Sequence, residues 1–252
     1  MRYFIEIAYQ GKNYHGWQIQ ANAHSVQQEL QDKMSLILRQ PISIVGSGRT
    51  DTGVHASQQF AHFDCEQNLA PDEFIYKMNR ILPPDIRLLN LYVVKPKAHA
   101  RFDAKRRRYE YHLSAHKQVF GQGLYYHFQR DLSIKKMNKA ANILFEHEDF
   151  QAFSKVKTEV KHFRCHIMEA HWEQRGEMLI FTIAANRFLR GMVRAIVGTL
   201  LEVGQSKMNL NQFEQVITSR SRQMAGSAVP PEGLFLVEVA YPWAAISTDF
   251  RA

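Results

Sequence analysis

Cysteine is nearly missing from this sequence: Cys65 and Cys165 are the only two in 252 residues, far apart and in no metal-ligand spacing. Neither a disulfide framework nor a zinc site is indicated, and both read as small buried hydrophobes. Long apolar runs are missing as well. Nothing approaches the roughly 20 consecutive apolar residues of a membrane span. The N-terminus enters a strand-like pattern at once, with no signal-peptide core, so the expectation is a cytoplasmic protein without membrane attachment. Acidic residues are in the minority, 24 Asp and Glu against 32 Lys and Arg, for a net charge of +8. That excess speaks to association, and nucleic acid is the leading partner. Apolar content of 45% suffices for one large domain or two smaller ones. Twelve histidines invite a metal reading, and His162, Cys165 and His166 lie close together. The stretch Arg164 to Trp172 reads as a strand, however, in which Cys165 and His166 point to opposite faces, and no metal is expected.

Against this background one loop stands out, Gly48-Arg49-Thr50-Asp51-Thr52-Gly53-Val54-His55, which sets a carboxylate between two glycines beside an arginine and a histidine. Glycines at both ends permit backbone conformations closed to other residues and let a ligand approach closely. Gly48 and Gly53 have the spacing of P-loop glycines, but Val54-His55 stands where Lys-Ser/Thr must follow, so a nucleotide cradle fails. A dinucleotide fingerprint from Gly46 and Gly48 would need its third glycine at Asp51. The bland alternative is an Asx-type turn with Asp51 capping local amides. The company Asp51 keeps elsewhere in the chain favours chemistry at this carboxylate.

Tyr3, Ile5, Ile7 and Tyr9 alternate with Phe4, Glu6 and Ala8, the period of a strand. Ser25 with Gln28 is a capping-box signature ahead of Val26, Leu30, Met34 and Ile37 at helical spacing. Ile42 to Ser47 and Phe60 to Cys65 read as strands on either side of the Asp51 loop. Pro71 starts a helix through Phe74, Ile75 and Met78, stopped by Pro83-Pro84, and Ile86 to Val94 is a further strand. The order β-α-β-β-α-β is the split unit of ferredoxin-like folds, with helices on one sheet face and the other face free for a substrate. From Arg106 the pattern restarts with a strand bearing Tyr109, Tyr111 and Leu113 on one face. An aromatic stretch from Leu124 to Phe128 follows, then a helix capped by Ser133 and a hairpin from Arg164 to Ala185 turning at Arg175-Gly176-Glu177. Helices over about Leu189 to Val203 and Leu210 to Thr218 precede a final strand, Leu234 to Tyr241. The expectation is an α+β protein of two ferredoxin-like halves, with a boundary near Asp103: an N-terminal domain over 1–103 carrying the Asp51 loop, and a C-terminal α+β domain over 104–252.

Lys105-Arg106-Arg107-Arg108-Tyr109 puts four cations and a tyrosine at the mouth of a strand. Cations hold phosphates without reading sequence, and an aromatic face holds an unstacked base for about 1–3 kcal/mol. A charge run alone is usually a solvated face, but Tyr109 alternates with Arg108 and Glu110 and so points to the half-buried side. On the Leu189 to Val203 helix, Leu189, Met192, Val193, Ile196 and Leu200 form an apolar arc, with Arg187, Arg190 and Arg194 opposite it. Gly191 and Gly198 beside that basic wedge allow close backbone approach. Val197 and Leu201 flank Arg194, which is expected to be partly buried and to need a carboxylate partner, with Asp51 the choice. Arg187 and Arg190 are expected to meet solvent or phosphate.

Several ordered motifs now carry a resemblance that spans nearly the whole chain: Gly48 to Ala56; His99-Ala100-Arg101-Phe102 leading into Arg108-Tyr109-x-Tyr111; Phe188-x-x-x-Met192-Val193-Arg194 before Ile196-Val197-Gly198; and Glu232-Gly233-Leu234. In these the sequence resembles the TruA family of tRNA pseudouridine synthases. The resemblance implies the pseudouridine synthase fold, two halves joined around a central cleft, and conversion of uridine to pseudouridine in the anticodon stem-loop of tRNAs, at positions 38, 39 and 40. It implies a homodimer with each tRNA contacting both subunits, and neither metal nor organic cofactor. It places the catalytic role on Asp51, stacking on the target base on Tyr109, eversion of the nucleotide on Arg49, and a place against the aspartate on Arg194. The remaining expected substrate contacts are Arg101, Arg106, Arg107, Arg108, Arg187 and Arg190. Thr52 stands where many members have alanine, a small change that leaves the loop assignment intact.

An ionised aspartate suits this chemistry by covalent attack on base or sugar, or by removing a proton to open an elimination path, and both routes stay open. A non-catalytic RNA-binding module is the main rival, but it gives the Asp51 loop no purpose and lacks the aromatic signature expected on such a sheet. An acid-base hydrolase would want paired carboxylates, and no local rule sets Asp64 or Asp85 beside Asp51.

Overall fold

The N-terminal alternation becomes strand β1 (Arg2–Tyr9) in the computed structural model, which describes residues 1–155 and 160–248. Contacts divide the chain into two units, Met1–Lys105 with Leu236–Ala252, and Arg106–Phe235. The break at Lys105 lies close to the expected one. The departure is at the other end, where the segment from Leu236, expected in the C-terminal half, packs within the first unit.

In the first unit β1 is followed by α1 (Val26–Leu38), β2 (Val45–Gly46), β3 (His55–Asp64), α2 (Pro71–Ile81) and β4 (Ile86–Val94). Ser25 caps α1 by accepting from the Gln28 amide at 3.2 Å, while the Gln28 side chain turns to Asp32 instead of back to the cap. β1 lies antiparallel between β4 and β3, and β2 is antiparallel to β3 at Val45↔His62 and Gly46↔Ala61. The strand expected over Ile42 to Ser47 shrinks to two residues because α1 takes up its main-chain groups. Ser35 Oγ accepts from the Ile42 amide, and Gln31 Oε1 from that of Ile44, at 2.9 and 3.0 Å. β3 starts earlier than expected, at His55, because Tyr9 pairs with Ala56 directly after the Asp51 loop.

One face of this sheet carries Tyr3, Ile5 and Ile7, all fully buried; Tyr3 stacks on Phe63, and Phe63 on Phe74 of α2. The other face was expected to be free for a substrate. Part of it is covered by the unit's own C-terminal segment, which holds most of β9 (Leu234–Ala240) and then α6 (Trp243–Ile246). Tyr241 meets Phe4 and Phe60 at 5.4 and 5.1 Å between ring centroids, and Trp243 meets Tyr92 at 4.8 Å. Burying each such ring contributes roughly 1.5–3 kcal/mol, more than leaving the face wet would return. Glu6 is buried on this face as an acceptor for Gln58, Asn90 and Tyr92. Burial, and then the bond to Glu6, raise the Tyr92 hydroxyl pKa.

The second unit contains β5 (Arg106–Ser114), β6 (Tyr126–His127), α3 (Ile134–Ile143), β7 (Ile167–Arg175), β8 (Met178–Ala185), α4 (Met192–Gly204) and α5 (Leu210–Ser219). β8 lies antiparallel between β5 and β7, and β6 adds a short parallel pairing to β5. The β7–β8 turn is Gly176-Glu177, with Gly176 at φ +60°, where a side chain is strained. Trp172 and Phe181 pack ring to ring at 4.9 Å, and Met137, Phe153, Leu200 and Phe213 are buried. α4 starts at Met192 and not at Leu189, because Gly191 sits at φ +73° and breaks the helical path just before it. Arg187 and Arg190 therefore lie outside the helix, and the basic wedge expected along one helical face does not exist. Among the described residues no helix is long and apolar enough to cross a membrane.

Candidate active site

The Asp51 loop rests on a floor made by the segment just after β1. The Trp17 amide donates to Thr50 O at 3.3 Å, the Gly53 amide to Tyr14 O at 3.4 Å, and the Gly11 amide to His55 Nδ1 at 3.0 Å. Tyr9 and Thr50 share a buried hydroxyl–hydroxyl bond of 2.9 Å. The approach is close enough to require glycine. A Cβ on Gly11 would lie 2.0 Å from Val54 O, and one on Gly16 would lie 2.4 Å from Thr50 O, with φ +86° adding strain. The floor is itself anchored, since Asp85 accepts from the Tyr14 hydroxyl at 2.7 Å and from Asn13 at 2.9 Å.

The loop's leading edge is fastened by Gln59 of β3, which donates to Gly48 O at 3.2 Å and accepts from Ser47 Oγ. Its trailing edge closes as a turn in which the Val54 amide donates to Asp51 O at 3.2 Å, with Gly53 at φ +79°. The two glycines thus differ. Gly53 adopts a conformation that side chains avoid, whereas a Cβ on Gly48 would meet no atom within 4 Å. Between them Thr50 is buried, Asp51 half-buried and Arg49 exposed. His55, adjacent in sequence, is buried with its Nδ1 on Gly11 and serves the floor. Main-chain bonds on both flanks fix the backbone from which the Asp51 carboxylate and the exposed Arg49 side chain are presented, and a fixed support of this kind lowers the cost of positioning a reactive side chain. Arg101, in the same unit, is exposed on the turn before the unit boundary.

In the second unit Tyr109 is half-buried on β5, pairs with Ile183, and sets its ring edge-to-face on Phe188 at 5.1 Å and 89°. Phe188 was legible only as part of a motif, and its contact with Tyr109 follows from β5 pairing with β8, which runs to Ala185. The cations beside Tyr109 are turned onto their own unit. Arg106 and Arg108 both bond Glu169 of β7, at 2.6 and 2.8 Å, and Arg107 donates to Asn186 O at 2.8 Å. Arg187 lies 3.3 Å from the His162 ring, and Arg190 is exposed with its carbonyl accepting from Lys155.

Arg194 is half-buried in the first turn of α4, as expected, and its Nε donates to Val229 O at 2.7 Å while the Val229 amide returns a bond to Arg194 O at 3.2 Å. The loop carrying Val229 lies against the helix at Gly198, where a Cβ would come 1.8 Å from Ser227 O. Tyr111 bonds Pro230 O at 2.8 Å and is buried, which raises its pKa. On the β5 face opposite to Tyr109, Glu110 is held down at about 2, first by His112 and then by Arg175. Among the described residues no group of three or more His, Cys, Asp or Glu side chains is placed to hold a metal ion.

Comparison with known proteins matches residues 6–103 and 140–242 to a family described as tRNA pseudouridine synthase. The chain is 48% identical over 242 residues to the tRNA pseudouridine synthase A of Parabacteroides distasonis, covering 96% of each. It is 50% identical over 244 residues to that of Bacteroides thetaiotaomicron, covering 96% of this chain and 91% of the relative. With the Bacillus licheniformis protein of the same description it shares 36% over 245 residues, 96% of this chain and 99% of the relative.

Proposed function

We propose the residue roles that follow from one premise: the chain belongs to the tRNA pseudouridine synthase family. It isomerises uridine to pseudouridine in tRNA. The reaction breaks the bond from C1′ to N1, turns the uracil, joins C1′ to C5, and moves one proton from C5 while N1 gains one. Atoms and oxidation state balance, so the step needs no redox partner. The base has to leave its stack to be reached, and it has to be held while detached.

In our reading the target lies in the anticodon stem-loop, at positions 38, 39 and 40, and Asp51 starts the reaction as nucleophile or base, both of which require its ionised form. Arg49, exposed on the same fastened loop, everts the nucleotide. Tyr109 stacks on the everted base, and Arg194 supplies the positive charge that keeps a reacting carboxylate ionised. Arg101, Arg187 and Arg190 contact tRNA phosphates, and a homodimer working in the cytoplasm presents each tRNA to both subunits. Two ferredoxin-like halves fit the all-antiparallel β4-β1-β3 order of the first unit, with β2 on β3, and the β5-β8-β7 order of the second.

The observation that carries the reading is the Asp51 loop itself, fastened by its own unit from Gly11 to Trp17 and from Gln59. The experiment is tritium release from tRNA labelled at C5 of uridine. The parent is expected to release it, and Asp51→Asn to lose at least about 10²–10⁴-fold in rate. Equal release by the variant would sink the assignment.

A further inference from the structure

Among the described residues of the first unit, the most exposed large hydrophobic side chain is Phe102, at 71%. It sits on the turn 99–103, which is unusually well fastened for a surface turn. The His99 amide donates to Asp103 Oδ2 at 2.7 Å and the Asp103 amide returns a bond to His99 O at 3.0 Å. His99 Nδ1 accepts from the amides of Arg101 and Phe102 at 3.1 and 3.4 Å. Behind the turn, the Ala100 amide donates to His62 Nδ1 at 3.1 Å, and the Tyr241 hydroxyl to Ala100 O.

The rings of this region form a ladder that runs outward. His62 meets His99 at 4.6 Å between centroids, and His99 meets Phe102 at 4.3 Å with 36° between planes. The Arg101 guanidinium lies 5.7 Å from the Phe102 ring centroid. Burial lowers the His99 pKa, in keeping with a neutral imidazole whose Nδ1 accepts hydrogen bonds. Leaving a phenylalanine outside forgoes roughly 1.5–3 kcal/mol of burial, and here the ring is held in a fixed pose with a cation beside it. An aromatic face next to an arginine on a rigid support matches an unpaired nucleobase and its phosphate, and rigidity lowers the entropic cost of binding. The excess of 32 basic over 24 acidic residues favours the same polyanion.

We propose that Phe102, with Arg101 beside it, is a stacking platform for an unpaired base of the bound tRNA other than the uridine being isomerised, whose platform is Tyr109. The proposal rests on tRNA being the substrate and adds a second point of base contact to it. The direct probe is Phe102→Trp, read as tryptophan emission above that of the parent, whose own three tryptophans supply the baseline. Titration with an unmodified tRNA transcript is expected to quench the introduced emission as the base stacks on it. Phe102→Ala is expected to weaken equilibrium tRNA binding by about 5- to 150-fold, the range that a stacking contact of about 1–3 kcal/mol gives. Phe102→Tyr should stay within about twofold of the parent, and neither variant should shift the thermal midpoint, because the ring is outside the core. Parental affinity in Phe102→Ala, or no quenching in the tryptophan variant, overturns the proposal. So does a fall in sedimentation coefficient for Phe102→Ala without RNA, which would assign the ring to a second copy of the chain. Binding alone decides the platform. Failure of the parent to form pseudouridine in a tRNA it binds would count against the reaction instead.

Discussion

In the first unit the most unusual side chain, Asp51, projects from a loop whose main chain is fastened on both flanks. In the second unit the most unusual run, Arg106 to Arg108, has its guanidinium groups turned onto Glu169 and Asn186 of that same unit. Both stretches look functional in the sequence, one by its glycines and one by its charge. Conformation spent on presenting a group is better evidence of chemistry than a count of charges. A cation already bonded within its own unit has less to offer a phosphate, whereas a carboxylate on a loop whose floor at Gly11 and Gly16 tolerates no side chain but hydrogen is held there at a cost in chain entropy.

Within the second unit the largest effect is expected when Tyr109 is separated from the arginines around it. We also propose that the Tyr109 hydroxyl takes the C5 proton; Tyr109→Phe keeps the ring that meets Phe188 and should keep tRNA affinity, while single-turnover rate falls by about 10²–10⁴-fold. Arg107→Gln should change that rate little. Parental turnover in Tyr109→Phe would make the residue a platform only.

Next in size is a contrast among glycines of the first unit. Gly11→Ala forces a Cβ to 2.0 Å from Val54 O and should cost about 1–3 kcal/mol of stability by overpacking, seen in denaturant unfolding, together with activity. Gly48→Ala meets nothing of the protein within 4 Å and should leave the unfolding midpoint unchanged. Under the proposed reading, in which the substrate approaches this side of the loop, its kcat/KM should still fall about 10-fold or more. Equal stability losses in the two would mean that the loop is not held in the way described.

A smaller effect is expected from Glu169→Gln. Its bonds to Arg106 and Arg108 are partly exposed, so the stability loss should be about 0.2–1 kcal/mol for each pair. The released guanidinium groups should steepen the salt dependence of tRNA binding, measured as the slope of log affinity against log salt. An unchanged slope would show that Glu169 is not what withholds them from phosphate.

The mildest test compares the units in acid. Burial, with His99 and Arg2 nearby, holds His62 of the first unit at about 4, below its ordinary 6.5. The unfolded chain binds that proton first, so the contribution is complete above pH 6.5 and is lost as pH falls towards 4. Glu110 of the second unit, held at about 2 against an ordinary 4.5, contributes fully above 4.5 and loses its contribution as pH falls towards 2. Amide exchange should therefore show β3 weakening at a higher pH than β5, and the reverse order would refute the assignment.

Much of this was legible in advance where pattern is local. β4 and α5 follow from period and stop signals, and the Asp51 motif needed only its residue order. What stayed hidden was supplied by distant side chains. Gln31 and Ser35 of α1 satisfy the main chain that would otherwise have extended β2. Gly11 and Gly16 look like ordinary loop residues until Val54 and Thr50 lie on them. Glu169, more than sixty positions from the basic run, reads as a surface carboxylate on an alternating strand. The covering of the first sheet by Tyr241 and Trp243 depends on where a terminal segment returns, which no local period records.

We assign the chemistry to Asp51, on a loop that holds that carboxylate and needs no charge there to fold. Pseudouridine mapping on an unmodified tRNA transcript incubated with the parent or with Asp51→Asn, with bound tRNA measured in the same samples, tests it most directly. Pseudouridine is expected in the anticodon stem-loop with the parent, and with Asp51→Asn a tRNA that is bound as tightly and left unmodified. Modification at the parental rate by Asp51→Asn would contradict it.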